Sequence, residues 1–292
     1  MNYFLVSTPL QYCNAHNIDV EGAKTLVFLG DFHGAAEFYA KIKNSIYWDG
    51  KFCFDSYRQL FSFLSKEINA HDKLFIDSDY GLQTNWMLSK IKTREIFVYE
   101  EGYGSYRNDL LSARCKNKIL YQFLKFLGNK EHFGDSKFVK GIYLYDLPKH
   151  EQLVADFKNQ RFSFRKPFID NLNEICDEML TVEERREYRE MVEGKSVYLY
   201  LTNWDYNKKI EDLFQDRKKS ATGDTLLILK PHPRIKQYSS EFEFDLVLSN
   251  NVMVEMILLT FHKFAKELFV YHDGSSALLY LTDINNTIID AI

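Results

Sequence analysis

The chain has 292 residues, enough for two medium α/β domains, and its content of 46 % hydrophobic and 16 % aromatic residues can fill real cores. Its net charge of −4 excludes a broad nucleic-acid surface, because phosphate binding needs clustered positive charge. No apolar run reaches the roughly 18–20 residues a membrane-crossing helix takes. Cys13, Cys53, Cys115 and Cys176 are scattered without a CxxC pair, which argues against a zinc site or a disulfide framework and for a reducing cytoplasm.

The opening "MNYFLVSTPLQY" lacks a basic n-region and a long apolar core, so it reads as a first strand rather than a signal peptide. One unit then repeats: an apolar strand, a polar turn, a helical stretch. "YFLVST" leads into "PLQYCNAHNI", "TLVFLG" into "DFHGAAEFYAKIK", "KLFIDS" into "DYGLQTNWMLSKIK", and "IFVYEE" into a glycine turn. Strands alternating with helices of this length predict parallel βαβ units. The stretch "KNKILYQFLKFLGNK" mixes lysines with aromatics. It fits either an anionic membrane surface or, as its periodicity favours, a packed helix with a basic outer edge. "LTVEERREYREMVEGK" predicts a solvated helix with a Thr181–Glu184 capping box. The strand–helix pattern resumes with "SVYLYLTN", "TLLILKPHPR", "DLVLSN", "ELFVYHDGSSALLYL" and "NTIIDAI". The expected architecture is α/β: residues 1–155 a Rossmann-like acceptor domain, 156–195 a helical connector and 196–292 a second Rossmann-like, nucleotide-binding domain, the two facing a central cleft.

Ligands of open α/β sheets sit beyond the carboxyl ends of the strands, and the polar clusters fall there. "VYEEGYGSY" puts Glu100 and Glu101 at a strand end; neighbours in a strand point to opposite faces, so one carboxylate is expected to face a ligand as general base. Gly102 and Gly104 permit close backbone approach, with Tyr103 between them. "ILKPHPR" sets Lys230 and His232 on a turn stiffened by Pro231 and Pro233, suited to a phosphate and to protonating a leaving oxygen. Gly274, Ser275 and Ser276 open a helix after the "FVYHD" strand, where free N–H groups and hydroxyls receive anions. Either serine also serves as a plain cap. Thr8 and Gln11 end the first strand as acceptor ligands, although Thr8 equally caps the next helix. Asn203 follows the first strand of the second half as a nucleotide ligand or a turn residue. In "DSDY", which approaches a DxD motif, Asp79 reads as an acceptor-site or capping residue.

Taken in order, "TPLQ", "YEEG", "KPHPR" and "YHDGSSALLYL" resemble the bacterial sialyltransferases of lipooligosaccharide and capsule synthesis, glycosyltransferase family 52 and its relatives. The resemblance spans most of the chain but rests on these short motifs. It implies a GT-B fold and an inverting, metal-independent transfer of sialic acid from CMP-sialic acid to a glycan or glycolipid acceptor, with no cofactor beyond that donor. It assigns the base to Glu100 or Glu101, with Glu100 favoured as the first acid. It also places His232 on the phosphate or leaving group, and Lys230, Pro233, Asn203, Gly274, Ser275 and Ser276 around the donor. Thr8, Gln11, Gly102, Tyr103 and Asp79 fall on the acceptor side. Many relatives carry Asp in one acidic position, whereas both are Glu here. The implied protein is cytoplasmic, with peripheral contact at the inner membrane and homodimerisation left open. Two other readings remain: the same fold with another donor, CMP-Kdo or a UDP-hexose, and a non-catalytic nucleotide-binding protein of a glycan assembly complex.

Overall fold

The computed structural model describes residues 1–32, 34–202, 209–220, 223–232, 242–249, 252–272, 275–281 and 287–291. Two compact units result. The first comprises Met1–Asp31 and Lys43–Asn173, the second Phe32–Ile42 and Glu174–Ile292.

The first unit is built on a seven-stranded sheet of β1 (Asn2–Val6), β2 (Lys24–Leu29), β3 (Gly50–Phe54), β4 (Lys73–Ile76), β5 (Glu95–Tyr99), β6 (Gly141–Leu144) and β7 (Gln160–Ser163). Every pairing is parallel and the order is β3-β2-β1-β4-β5-β6-β7. Near-continuous apolar runs such as "FLV" and "LVFL" suit strands covered on both faces. Register stacks aromatic rings across neighbouring strands: Phe4 pairs with Phe75 and Phe75 with Phe97, with centroids 4.5 and 5.3 Å apart. Tyr143 and Phe162 continue the row at 5.0 Å. Gly141 lies beside this row, where a Cβ would come within 2.3 Å of the Gln160 carbonyl oxygen. Four of the seven strands follow from the apolar pattern. β3, β6 and β7 are shorter or more exposed, and their sequences carry too weak an alternation to announce them.

The second unit holds the five strands the pattern predicts: β8 (Ser196–Leu201), β9 (Thr225–Lys230), β10 (Leu246–Val247), β11 (Glu267–His272) and β12 (Thr287–Ala291). They form a parallel sheet of order β10-β9-β8-β11-β12. One core joins Tyr200, Leu227, Leu229 and Tyr271 of the sheet to Ile210 and Phe214 of the helix Lys209–Ser220. The charged helix Val182–Val192 starts with the predicted capping box, Thr181 Oγ1 accepting from Glu184 N and Glu184 Oε2 from Thr181 N. Glu184 also pairs with Lys41, 2.6 Å away on the helix Ala35–Ile42.

The lysine-and-aromatic stretch forms the helix Lys118–Phe126, but no residue of it is buried, so the packed helix favoured by its periodicity is corrected. No helix among the described residues is long and apolar enough to cross a membrane.

Candidate active site

In the first sheet the chain builds outward from β1 to β3, then returns to the other side of β1 with β4. The order reverses between β1 and β4, the kind of switch point beside which open α/β sheets place their ligands. Thr8 caps the helix Pro9–His16 by accepting from Gln11 N at 3.2 Å. That cap turns the Gln11 side chain back over the strand ends. Its Oε1 accepts from Ser7 N (2.7 Å) and Ser7 Oγ (2.8 Å), which leaves its Nε2 to donate to Asp77 Oδ2 at 3.0 Å. Asp77, the first residue past β4, is thus fixed beside β1.

Burial, reinforced by the nearby Asp31 carboxylate, pushes the Asp77 carboxyl up to about 6, against the opposing bond from Gln11. Tyr57, at the start of the helix Tyr57–Glu67, belongs to the same cluster. Burial and then the charges of Asp77 and Asp31 raise its hydroxyl to about 12, while a bond with Thr84 works against them and Glu101 adds to them. Three acidic groups, a tyrosine, a glutamine and a serine therefore gather where the sheet order reverses. A carboxyl held near neutrality is able to give and take a proton there.

The two glutamates part as strand alternation requires. Glu100 is fully buried, and its Oε2 accepts from Tyr106 Oη (2.7 Å) and Tyr145 N (2.8 Å). Its backbone oxygen accepts from Asn14 Nδ2 at 2.7 Å, tying β5 to the first helix. Glu101 is exposed, and its backbone N–H donates to Ser105 Oγ at 2.8 Å. Gly102 takes φ +82°, the left-handed turn that makes glycine the residue of choice, and a Cβ on Gly104 would meet Phe133 at 3.1 Å. Tyr103 is exposed, with Lys149 Nζ 5.4 Å from its ring. Asp79 is buried, its carboxyl receiving Gly134 N (2.8 Å) and Ser136 N (2.9 Å); burial raises its pKa. It pins the loop before β6 and caps no helix: Gly81 precedes the helix Leu82–Lys90.

The second sheet reverses between β8 and β11, and register sets the end of β8, Leu201, opposite Lys230 on one side and His272 on the other. Thr202 Oγ1 accepts from His232 N at 2.8 Å, which fixes the start of the "PHP" turn over that edge. Ser275 N donates to His272 Nδ1 (3.2 Å), and Ser275 Oγ caps the short turn Ser276–Tyr280 by accepting from Ala277 N. Lys230 is buried below the turn. Burial lowers its amine to about 8 and raises the buried Glu255 carboxyl to about 7, and the attraction between their charges opposes both shifts. Asn203, Pro233 and Gly274 lie outside the described residues, as does Asp273. No group of three or more His, Cys, Asp or Glu among the described residues could hold a metal ion.

Asp77, Asp31, Tyr57 and Glu255 are absent from the sequence-level site. Asp77 had a readable signal, since "KLFI" ends at Ile76 and makes it the first residue beyond the strand. Tyr57 and Glu255 had none, because each reaches its partners only through tertiary packing.

The sequence matches no protein-family model and no curated protein. Solved structures do match. UDP-N-acetylglucosamine 2-epimerase from Rickettsia bellii aligns with a TM-score of 0.56 at 12 % identity over 99 % of this chain and 78 % of that one. The Methanocaldococcus jannaschii UDP-GlcNAc 2-epimerase, solved with UDP-GlcNAc and UDP, aligns at 0.56 and 10 % over 99 % and 88 %. A protein from Listeria monocytogenes described as a UDP-N-acetylglucosamine 2-epimerase aligns at 0.51 and 10 % over 94 % and 74 %. The chain shares their two-domain, GT-B-like fold. The expected membership of the sialyltransferases, with CMP-sialic acid as donor and lipooligosaccharide or capsule as product, is corrected by these matches. The motifs behind that resemblance are strand-end turns, and Thr8, Glu100 and Gly102 each do a structural job there, so the motifs carry the fold's turn chemistry rather than a donor's signature.

Proposed function

We propose that this protein is an enzyme of UDP-sugars that inverts a carbon bearing hydrogen, with a UDP-N-acetylhexosamine epimerised at C2 as the first substrate to try. The observation that carries this reading is the Asp77 carboxyl, held near pKa 6 at the reversal point of the first sheet. Epimerisation at C2 requires a group that removes its proton as the electron pair expels UDP from C1, and a group that returns a proton to the opposite face as UDP adds back to C1. A carboxyl balanced near neutrality serves either step, and Glu101, Asp31 and Tyr57 are the other ionisable groups of the cluster. Glu100, closed in by Tyr106 and Tyr145, holds the turn that presents Glu101. His232 and Ser275 at the ends of the second sheet, with the buried cation Lys230 behind them, are the proposed phosphate-side residues. The whole-chain likeness to enzymes that act on UDP-GlcNAc supports the choice of nucleotide and sugar.

The test is incubation of the full chain with UDP-GlcNAc in D2O, followed by proton NMR. A new anomeric signal from the C2 epimer and deuterium at C2 are expected, together with thermal stabilisation by UDP greater than by CMP. Neither exchange nor stabilisation by UDP would overturn the reading. Stabilisation by UDP with sugar transfer to an added acceptor, and no exchange, would replace epimerisation with transfer from a UDP-hexose.

A further inference from the structure

The helix Lys118–Phe126 is held away from the core with its apolar side outward. Its start is capped by Asn117, whose Oδ1 accepts from Ile119 N (3.0 Å) and Leu120 N (3.2 Å). Its end is closed by Gly128 at φ +97° and by Asn129, whose N and Nδ2 both donate to Leu124 O at 3.1 Å. The Glu131 carboxylate fastens it to the neighbouring helix Leu110–Arg114. Glu131 Oε1 accepts from Tyr121 Oη at 2.6 Å, while Oε2 accepts from Leu111 N, Ser112 N and Ser112 Oγ at 3.0–3.1 Å. Tyr121 and Leu124 are thereby turned inward. At 100° per residue, Ile119, Phe123 and Phe126 share the opposite, outer side, with Leu120 and Leu127 on its flank. Ile119 is 83 %, Phe126 86 % and Phe123 55 % exposed. A capped and anchored helix that presents two phenylalanines and an isoleucine to water marks an interaction surface.

Charge identifies what the surface meets. Residues 110–130 contain Arg114, Lys116, Lys118, Lys125 and Lys130 and no acid, in a chain whose net charge is −4. We propose that this helix seats the protein on an anionic lipid bilayer, with Ile119, Phe123 and Phe126 entering the acyl boundary and the flanking lysines meeting lipid phosphates. A second copy docked by the same patch would face its own lysines across a two-fold axis, which opposes that occupant.

The test is sedimentation of the 292-residue chain with vesicles of phosphatidylglycerol and with vesicles of phosphatidylcholine, at low and high salt. Binding to the anionic vesicles is expected, falling about 10-fold or more on neutral vesicles or in high salt. F123D/F126D should lose that binding by a similar factor, and K116E/K118E should weaken it. Because these side chains lie outside the core, both variants should keep the parent's circular dichroism and urea midpoint. No binding to anionic vesicles, or equal binding by folded F123D/F126D, would overturn the proposal. So would a concentration-dependent dimer abolished by F123D/F126D in a chain that ignores vesicles.

Discussion

Replacing Glu100 by Ala should damage the fold, whereas replacing its neighbour Glu101 should not. Glu100 is fully buried, and one of its oxygens takes two donors, the Tyr106 hydroxyl and the Tyr145 amide. The Tyr106 hydroxyl is itself held by Asp146 N at 3.1 Å, so it cannot swing freely to a new acceptor. E100A therefore strands two buried donors at about 1–3 kcal/mol each and leaves a small void, for a total near 4 kcal/mol. E100Q keeps an accepting oxygen and gives up only the charge-assisted part, about 1–2 kcal/mol. Glu101 is exposed and contributes its backbone N–H, which any residue retains, so E101A should stay within about 0.5 kcal/mol of the parent. The assay is urea unfolding followed by tryptophan emission, to which Trp48, buried in the same unit, reports. With a urea slope of ~2 kcal/mol/M, E100A should lower the midpoint by about 2 M and E101A by less than about 0.3 M. An E100A midpoint within about 0.5 M of the parent, or an equal loss in E101A, would refute this division of labour between the two acids.

Three further outcomes are expected. D77N should abolish hydrogen exchange at the sugar carbon and yet raise stability: a folded pKa near 6 above the ordinary ~4 means that the ionised form costs stability as pH rises from 4 through 6. Allowing for the solvent that reaches this half-buried carboxyl, the gain above pH 7 is about 1–2 kcal/mol, read from urea midpoints at pH 8 and absent at pH 4. K230M should lose about 3 kcal/mol at pH 8, where it leaves the Glu255 carboxylate buried without its cation, while K230M/E255M should recover most of the loss in the same unfolding assay. His150 accepts from Arg161 Nε at 2.9 Å and is held neutral, its pKa lowered to about 4 chiefly by burial and then by Arg161. A depressed folded pKa gives stability that is whole above pH ~6.5 and is lost as pH falls towards 4, by at most about 3 kcal/mol; H150Q should flatten that acid limb in thermal melts between pH 7 and 4.

Apolar runs flanked by turn residues were enough to place β1, β2, β4, β5 and the five strands of the second sheet; strands such as β1 and β2, buried on both faces, have little freedom in composition. β3, β6 and β7 escaped because "GKFCF", "GIYL" and "QRFS" carry neither a long apolar run nor a clear alternation. The capping box at Thr181 was legible since all its parts lie within four residues. The amphipathic period of Lys118–Phe126 was legible too, but which side faces the body was not. Tyr121 and Glu131 decide that, through a bond ten residues long in sequence.

The site followed the same rule. Strand ends could be read, so Thr8, Gln11, Glu100, Lys230, His232 and Ser275 all fall near sheet reversals, where an α/β fold offers its ligands room. Their roles could not be read, because a role depends on what lies across the gap. Gln11 gains meaning only from Asp77, 66 residues away, and Lys230 only from Glu255. Strand-end turns in Rossmann-like sheets draw on few residue types: a hydroxyl to cap, a glycine to turn, a proline to stiffen, an acid or amide to bind the loop. Two families can therefore display the same short strings for architectural reasons and differ in the nucleotide they hold. A reaction class is better argued from a group whose protonation the fold has moved, and in this sheet that group is Asp77, bonded to Gln11 and raised by burial and the charge of Asp31.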